Sequence, residues 1–276
     1  MNMLLRWIIQ LSLFALLLLC AWKTWEQAHA YERETLLIIQ QLETETRVEN
    51  AGRHLLELIT LGLYDGYTEK LDELGQHRQL RQAYADSVKI TGAAFFIVAA
   101  GFLLVVWYLN RTTLDVGYAM LLVALVALAV GLSTPILSVE ASKELPVLGE
   151  TVFQFKSKGI LSTIDALRQS GNLWLALLLF VFSVIVPLLK TLLVGMTWLN
   201  HEHHLFKKGL NLSHHMGKWS MADVFVVAIL VAYFANSGQD LTEAEVQAGL
   251  LFFAAYVILS LIGTQLISRG ISRQGG

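Results

Sequence analysis

The chain alternates long apolar runs with polar segments, and six of the runs are long enough to cross a membrane. A helix rises about 1.5 Å per residue, so about 20 apolar residues span a hydrocarbon core of about 30 Å. The pattern therefore predicts an all-α integral membrane protein. Its six transmembrane helices are expected at residues 4–22, 90–109, 116–134, 172–198, 219–235 and 247–267.

The polar segment 23–89 is rich in helix formers and contains no proline. Leucine and isoleucine recur in it at helical spacing. Residues 62–66, Gly-Leu-Tyr-Asp-Gly, are typical of a turn. We expect an antiparallel helical hairpin standing on the membrane, with its first arm broken near Asn50-Ala51-Gly52.

The second polar segment, 136–171, combines two kinds of pattern. Val152, Phe153 and Phe155 are residues typical of strands, and Gly159 ends that run. The residues from Ile160 onward have an amphipathic helical pattern. This segment is predicted to form a small α/β unit on the membrane surface.

The first apolar run has two interpretations. Ala28-His29-Ala30 has the small-x-small form of a signal-peptide cleavage site. The length of the run, followed by charges and two tryptophans, favours an uncleaved membrane anchor. Both interpretations place the following segment outside the cytoplasm.

Basic residues near the ends of the spans indicate the orientation, since such residues concentrate on the cytoplasmic side. One side collects Arg6, Arg111, Lys207, Lys208, Lys218, Arg269 and Arg273. The other side holds 23–89, 136–171 and the acidic loop 236–245. We expect both termini in the cytoplasm and, in a bacterium, a multi-pass protein of the inner membrane.

Composition narrows the possible chemistry. The chain is 55% hydrophobic and 15% charged, and its net charge of −2 gives no reason to expect nucleic-acid binding. Cys20 is the one cysteine, which excludes an internal disulfide, a CxxC pair and a cysteine zinc site. No catalytic triad, phosphate-binding glycine loop or paired-carboxylate site is present. We expect no enzymatic activity and no cofactor.

Two charged residues lie inside predicted spans. Lys190 follows Pro187 by three residues in the fourth span, and Asp223 lies one turn inside the fifth. The two helices leave one loop in antiparallel directions, so the charges could meet in the cytoplasmic half. The pair is either a structural ion pair, or a polar point at a moving helix pair or lipid headgroup.

Histidines are concentrated in the loop between these spans, at His201, His203, His204, His214 and His215. Such density can bind zinc or nickel. A basic loop facing the membrane explains the same composition without metal, and no HExxH pattern is present. His29, His54 and His77 are scattered and are expected on the surface. Glycines in or near the spans, Gly171, Gly195 and Gly263, are expected to be helix-packing sites.

Four short motifs stand out from residue 134 onward: Thr134-Pro135-Ile136-Leu137, Lys158-Gly159-Ile160-Leu161, Pro187-Leu188-Leu189-Lys190 and Gly217-Lys218-Trp219-Ser220-Met221-Ala222-Asp223-Val224-Phe225. They resemble motifs of the paraquat-inducible protein A family of bacterial inner-membrane proteins. The last is the most distinctive, and the resemblance extends from about Leu121 to Ile267, more than half of the chain.

The resemblance implies a four-span membrane module at 116–270 that works in moving phospholipid between membranes beside a periplasmic MCE-domain partner. It also implies roles in envelope integrity and stress tolerance. The anchor 1–22, the hairpin 23–89 and the second span with its link, 90–115, are then additions. Many relatives carry two modules, each preceded by a zinc ribbon, which a chain with one cysteine cannot form.

Two other functions are open at this stage. A small-molecule or ion transporter would need more polar residues than these spans contain. A quinone-linked redox protein would need cysteines, haem ligands or a flavin motif, and no histidine lies deep inside a predicted span.

Overall fold

The computed structural model describes residues 3–46, 66–145, 149–195 and 242–274. Within these ranges, five helices are long and apolar enough to cross a membrane. The predicted span at 219–235 and the predicted break at 50–52 lie outside the described residues. The helices are α1 Met3–Thr46, α2 Gly66–Asn110, α3 Thr113–Ser133, α4 Ile160–Gln169, α5 Leu173–Phe180, α6 Val186–Gly195 and α7 Ala248–Gln274. The strands are β1 Leu137–Leu145, β2 Gly149–Lys158 and β3 Thr242–Val246.

The first two helices are longer than the predicted spans. Helix α1 has 44 residues and α2 has 45, so each predicted span and its hairpin arm form one continuous helix. If the membrane span of α1 ends near Trp22, the helix extends about 36 Å further. The polar boundaries near residues 22 and 90 therefore mark the membrane surface and not the ends of helices.

A heptad seam joins α1 and α2 along this length. The buried residues of α1 recur at alternating spacings of three and four: Leu17, Ala21, Thr24, Ala28, Tyr31, Thr35 and Ile38. Helix α2 has the same spacing at Phe95, Ala99, Phe102 and Val106. Such alternation is the pattern of a coiled coil. The pair is an antiparallel coiled coil that leaves the membrane without a break.

Beyond the apolar segment, polar contacts join the two helices of the coiled coil; we call this part the arm. His77 Nδ1 lies 2.7 Å from Glu34 Oε2, and both side chains are only about one-fifth exposed, at 22% and 19%. Arg81 donates a hydrogen bond of 3.2 Å to the Tyr31 hydroxyl and lies over the same ring. The prediction that His77 is an ordinary surface residue is wrong, because its ring joins the two arms.

Helices α3 and α7 pack backbone against backbone. A Cβ atom on Gly131 would lie 2.7 Å from the Phe253 backbone nitrogen, and one on Gly117 would lie 3.1 Å from the Gly263 carbonyl oxygen. Small residues allow such approach between membrane helices. The packing role predicted for Gly263 is confirmed, whereas at Gly195 no atom of another described element lies within 4 Å of a Cβ position. Gly171 serves a turn, with φ +81°.

An aromatic cluster attaches the coiled coil to this helix pair. The Phe252 ring of α7 lies 4.8 Å from the Phe95 ring and 5.1 Å from the Phe96 ring, centroid to centroid. All three residues belong to or pack against one continuous core.

The three strands form an antiparallel sheet in the order β2-β1-β3 at the opposite end from the α2–α3 link. Strand β3 lies partly in the segment predicted as an acidic loop, so that prediction is wrong at 242–245. Helix α4 follows β2 directly, and α1 contacts β2. The sheet is therefore packed on the same coiled coil that crosses the membrane.

Replacing Gly131 tests the close contact between α3 and α7. We expect Gly131→Ala to lower the stability of the purified protein by about 1–3 kcal/mol, because the methyl group overlaps backbone atoms. Gly101→Ala is the matched control, since no atom of another element in the described part of the chain lies within 4 Å of its Cβ position. Thermal unfolding midpoints in detergent measure both, and equal midpoints would contradict the packing.

Candidate functional site

Lys190 lies on the inward face of the membrane span Leu173–Gly195. Its exposed fraction is 6%, and Ser183, Pro187, Thr191 and Val194 are buried on the same face. The outward residues are apolar and exposed, including Leu188, Leu189 and Leu192. The span therefore directs its polar side chains into the protein and its leucines toward lipid.

A π-helical turn interrupts this span at Val181–Ile185, two residues before Pro187. The backbone N–H of Val186 donates to the carbonyl of Val181, five residues back. Proline lacks an N–H, and its ring crowds the carbonyl four residues earlier, which here belongs to Ser183. The distortion therefore falls on the N-terminal side of Pro187. Lys190 itself lies in a regular turn, since α6 is an α-helix from Val186 to Gly195.

The neighbours of this face are α3 and α7. Val194 packs in a buried cluster with Leu121 of α3 and Ile267 of α7. The Thr191 hydroxyl donates to the Pro187 carbonyl at 2.8 Å, so its hydrogen is used within its own helix. A buried ammonium is costly unless it is paired or hydrogen-bonded. The surrounding helices must therefore offset the free-energy cost of burying the Lys190 ammonium.

The predicted partner, Asp223, lies outside the described residues, and the proposed pair stays a prediction. The same is true of Lys218, Trp219, Ser220, Met221 and Phe225, and of the histidine cluster His201, His203, His204, His214 and His215. Among the described residues, no group of three or more His, Cys, Asp or Glu side chains is arranged to hold a metal.

Two other family-motif residues, Pro135 and Gly159, meet at the junction between the membrane helices and the sheet. A Cβ atom on Gly159 would lie 2.9 Å from the Thr134 carbonyl oxygen. Gly249 at the start of α7 packs against the carbonyls of Thr134 and Pro135, and its N–H donates to the latter at 2.9 Å. This junction is separate from the Lys190 face.

The sequence analysis did not identify the other members of the junction, Gln247 and Ser138. The Gln247 N–H donates to the Ile136 carbonyl at 2.9 Å, and its side-chain amide donates to the Ser138 hydroxyl at 2.7 Å. Ser138 is fully buried. A glutamine and a glycine just before the last apolar run were the only local sign of this role.

These features define a multi-pass membrane protein with a buried polar face on one span and a tightly packed junction at one end. Residues 114–270, more than half of the chain, match the family described as paraquat-inducible protein A. The chain belongs to the paraquat-inducible protein A family, which confirms the resemblance seen in its motifs. Helices α1 and α2 lie before the matched region.

Two bacterial relatives illustrate the similarity. A "Probable intermembrane transport protein" of Haemophilus influenzae is 26% identical over 112 residues, which are 38% of this chain and 26% of that protein. "Intermembrane transport protein PqiA" of Escherichia coli K12 is 28% identical over 124 residues, or 41% of this chain and 28% of that protein. The matched stretch thus spans about a quarter of the relatives' length. No solved structure matches the chain.

Replacing Lys190 and Asp223 separately and together tests whether they pair. Lys190→Met should cost about 3–5 kcal/mol if it leaves Asp223 as a buried unpaired charge. The double variant Lys190→Met with Asp223→Leu should then recover part of that loss. Thermal unfolding in detergent gives the coupling, and Leu189→Met on the lipid-facing side is the control. Purely additive losses would show that the two residues do not interact.

Proposed function

We propose that this chain is an accessory component of intermembrane lipid trafficking and envelope integrity in the bacterial inner membrane, and that it is not an enzyme. The observation that carries the proposal is Lys190, a cation buried in an apolar span of a protein whose relatives are named intermembrane transport proteins. A charge inside a span is expensive and usually marks a ligand or ion pathway.

The chemistry of the Lys190 face suits a phospholipid. The Lys190 ammonium is a group that can bind a phosphate ester, while the exposed leucines of the same span suit acyl chains. The π turn at Val181–Ile185 lies within two turns of Lys190, so the irregular part of this span is close to the buried cation. In this proposal, lipid passes along the Lys190 face and helix movement transfers it to a partner.

The partner proposed here is a periplasmic MCE-domain protein. The arm of α1 and α2 extends from the same end of the molecule as the sheet. The basic residues Arg6, Arg111 and Arg269 lie at the other end, which by the positive-inside rule is cytoplasmic. The arm and sheet are then on the periplasmic side, where such a partner would be met.

Variants of the polar pair test the function. We expect Asp223→Ala and Lys190→Ala to lower the restoration of detergent resistance in a deletion strain by more than they lower the protein level in the membrane. Leu189→Ala, which removes a lipid-facing side chain, should restore resistance fully.

Mass spectrometry of phospholipid retained by the purified chain gives a second measurement. The two polar variants should retain several-fold less phospholipid than the wild type and the leucine control. Equal retention with intact resistance would contradict the proposal. Degradation of both polar variants would assign the pair a structural role.

A further inference from the structure

Two arginines flank one interhelical hydrogen bond at the end of the coiled coil opposite the sheet. The side-chain amide of Gln10 in α1 donates a hydrogen bond of 3.2 Å to the side-chain oxygen of Asn110, the last residue of α2. Arg6 lies one helical turn before Gln10, about 6 Å along the axis, and Arg111 directly follows Asn110. Because the helices are antiparallel, both arginines lie on the aqueous side of this hydrogen bond.

Arg111 has a backbone conformation that arginine rarely adopts. Its φ is +54°, and it is the one residue other than glycine with positive φ among the described residues. Its N–H donates to the Trp107 carbonyl at 3.1 Å, so it ends α2 at a position where glycine is usual. An arginine kept in this conformation indicates that the side chain is needed there.

Within the described ranges, no carboxylate neutralises either arginine. No acid among the described residues lies within ion-pair distance of Arg6 or Arg111, and both side chains are exposed. Asp115, the acid closest along the chain, is held by the Thr112 hydroxyl at the start of α3. Two exposed guanidinium groups, one on α1 and one in the α2–α3 link, with no carboxylate partner among the described residues, are suited to bind one phosphate.

The surroundings of the pair favour a lipid over a free phosphate. Trp7, Trp107 and Tyr108 are exposed by 55%, 62% and 69%, and such rings lie at the level of lipid headgroups. Ile8 and Leu11, on the membrane side of Arg6, are 60% and 62% exposed, which suits contact with acyl chains. The site thus offers cations to a headgroup and apolar surface to the chains below it.

We propose that Arg6 and Arg111 form a binding site for the phosphate of an anionic phospholipid, placed at the base of the two helices that precede the family module. The site is independent of the Lys190 face and of any transport activity. It would anchor the base of the coiled coil in the leaflet at that surface.

Thermal unfolding of the full chain in neutral detergent tests this site. Phosphatidylglycerol added in mixed micelles should raise the unfolding midpoint, whereas phosphatidylcholine and inorganic phosphate should not. Arg6→Gln and Arg111→Gln should each weaken the apparent affinity for phosphatidylglycerol about fivefold, the effect expected of one arginine at an anionic surface. Arg33→Gln, an exposed arginine on the arm, is the matched control and should leave the affinity unchanged.

Arg111→Gly separates binding from folding. Glycine adopts positive φ without strain, so this variant should unfold at the wild-type midpoint or above it without lipid. It should nevertheless lose the same fivefold in affinity for phosphatidylglycerol. If every variant kept the wild-type affinity, or if phosphatidylcholine or inorganic phosphate stabilised the protein equally well, the arginines would serve membrane orientation alone and the proposal would be wrong.

Discussion

The direct contact between the backbones of α3 and α7 is the constraint on which the described structure depends. Lipid tails are as apolar as leucine, so membrane helices associate through close packing more than through the hydrophobic effect. Gly117 faces Gly263 and Gly131 faces the turn of Gly249 and Phe253, which brings the two helices together at both ends. At one of those ends, the backbone of Thr134 and Pro135 also packs directly against Gly249. The same contact therefore orients the sheet, whose central strand follows Pro135 directly.

The coiled coil extends this constraint out of the membrane. It packs on α7 through Phe252, and its seam continues through Thr24, Tyr31 and Thr35 into the arm. Helix α1 continues from the membrane part into the arm as far as Thr46, and α2 runs from Gly66 in the arm back into the membrane part, each without a break. A displacement of the arm would then be transmitted along two continuous helices to the aromatic cluster. That is a mechanical link which a hairpin joined by flexible turns would lack.

Hydropathy predicted the spans well and the helix ends poorly, for one physical reason. The thickness of the hydrocarbon core selects runs of about 20 apolar residues, so α3 and α7 begin within three residues of their predicted starts. Polarity changes where the membrane ends, however, and a helix can continue past that point, as α1 does at Trp22. The heptad seam was hidden because threonine and alanine occupy many of its positions.

Features that depend on distant partners were not accessible in the same way. Strand β3 pairs with β1, about a hundred residues earlier, and its sequence Thr-Glu-Ala-Glu-Val has no long apolar run to mark it. Pro187 in the sequence indicated that one backbone hydrogen bond of the helix would be lost. It did not indicate that the neighbouring N–H groups would bond to carbonyls five residues back and form a π turn. The burial of Lys190 likewise required the positions of α3 and α7. In each case the missing information was a tertiary contact and not a local preference.

Placing a cation at the membrane surface costs much less free energy than burying one in a span, and this difference decides how strongly each cation of the chain indicates a function. Arg6 and Arg111 are exposed at an interface, where a charge is inexpensive and orientation of the protein could account for it. Only the positive φ of Arg111 and the Gln10–Asn110 hydrogen bond between the two arginines require an explanation beyond orientation. Lys190 is buried in an apolar span, so its retention needs compensation from neighbouring groups or a ligand. The Lys190 face is for this reason the stronger indication of function, although the interfacial pair is the easier one to test in isolation.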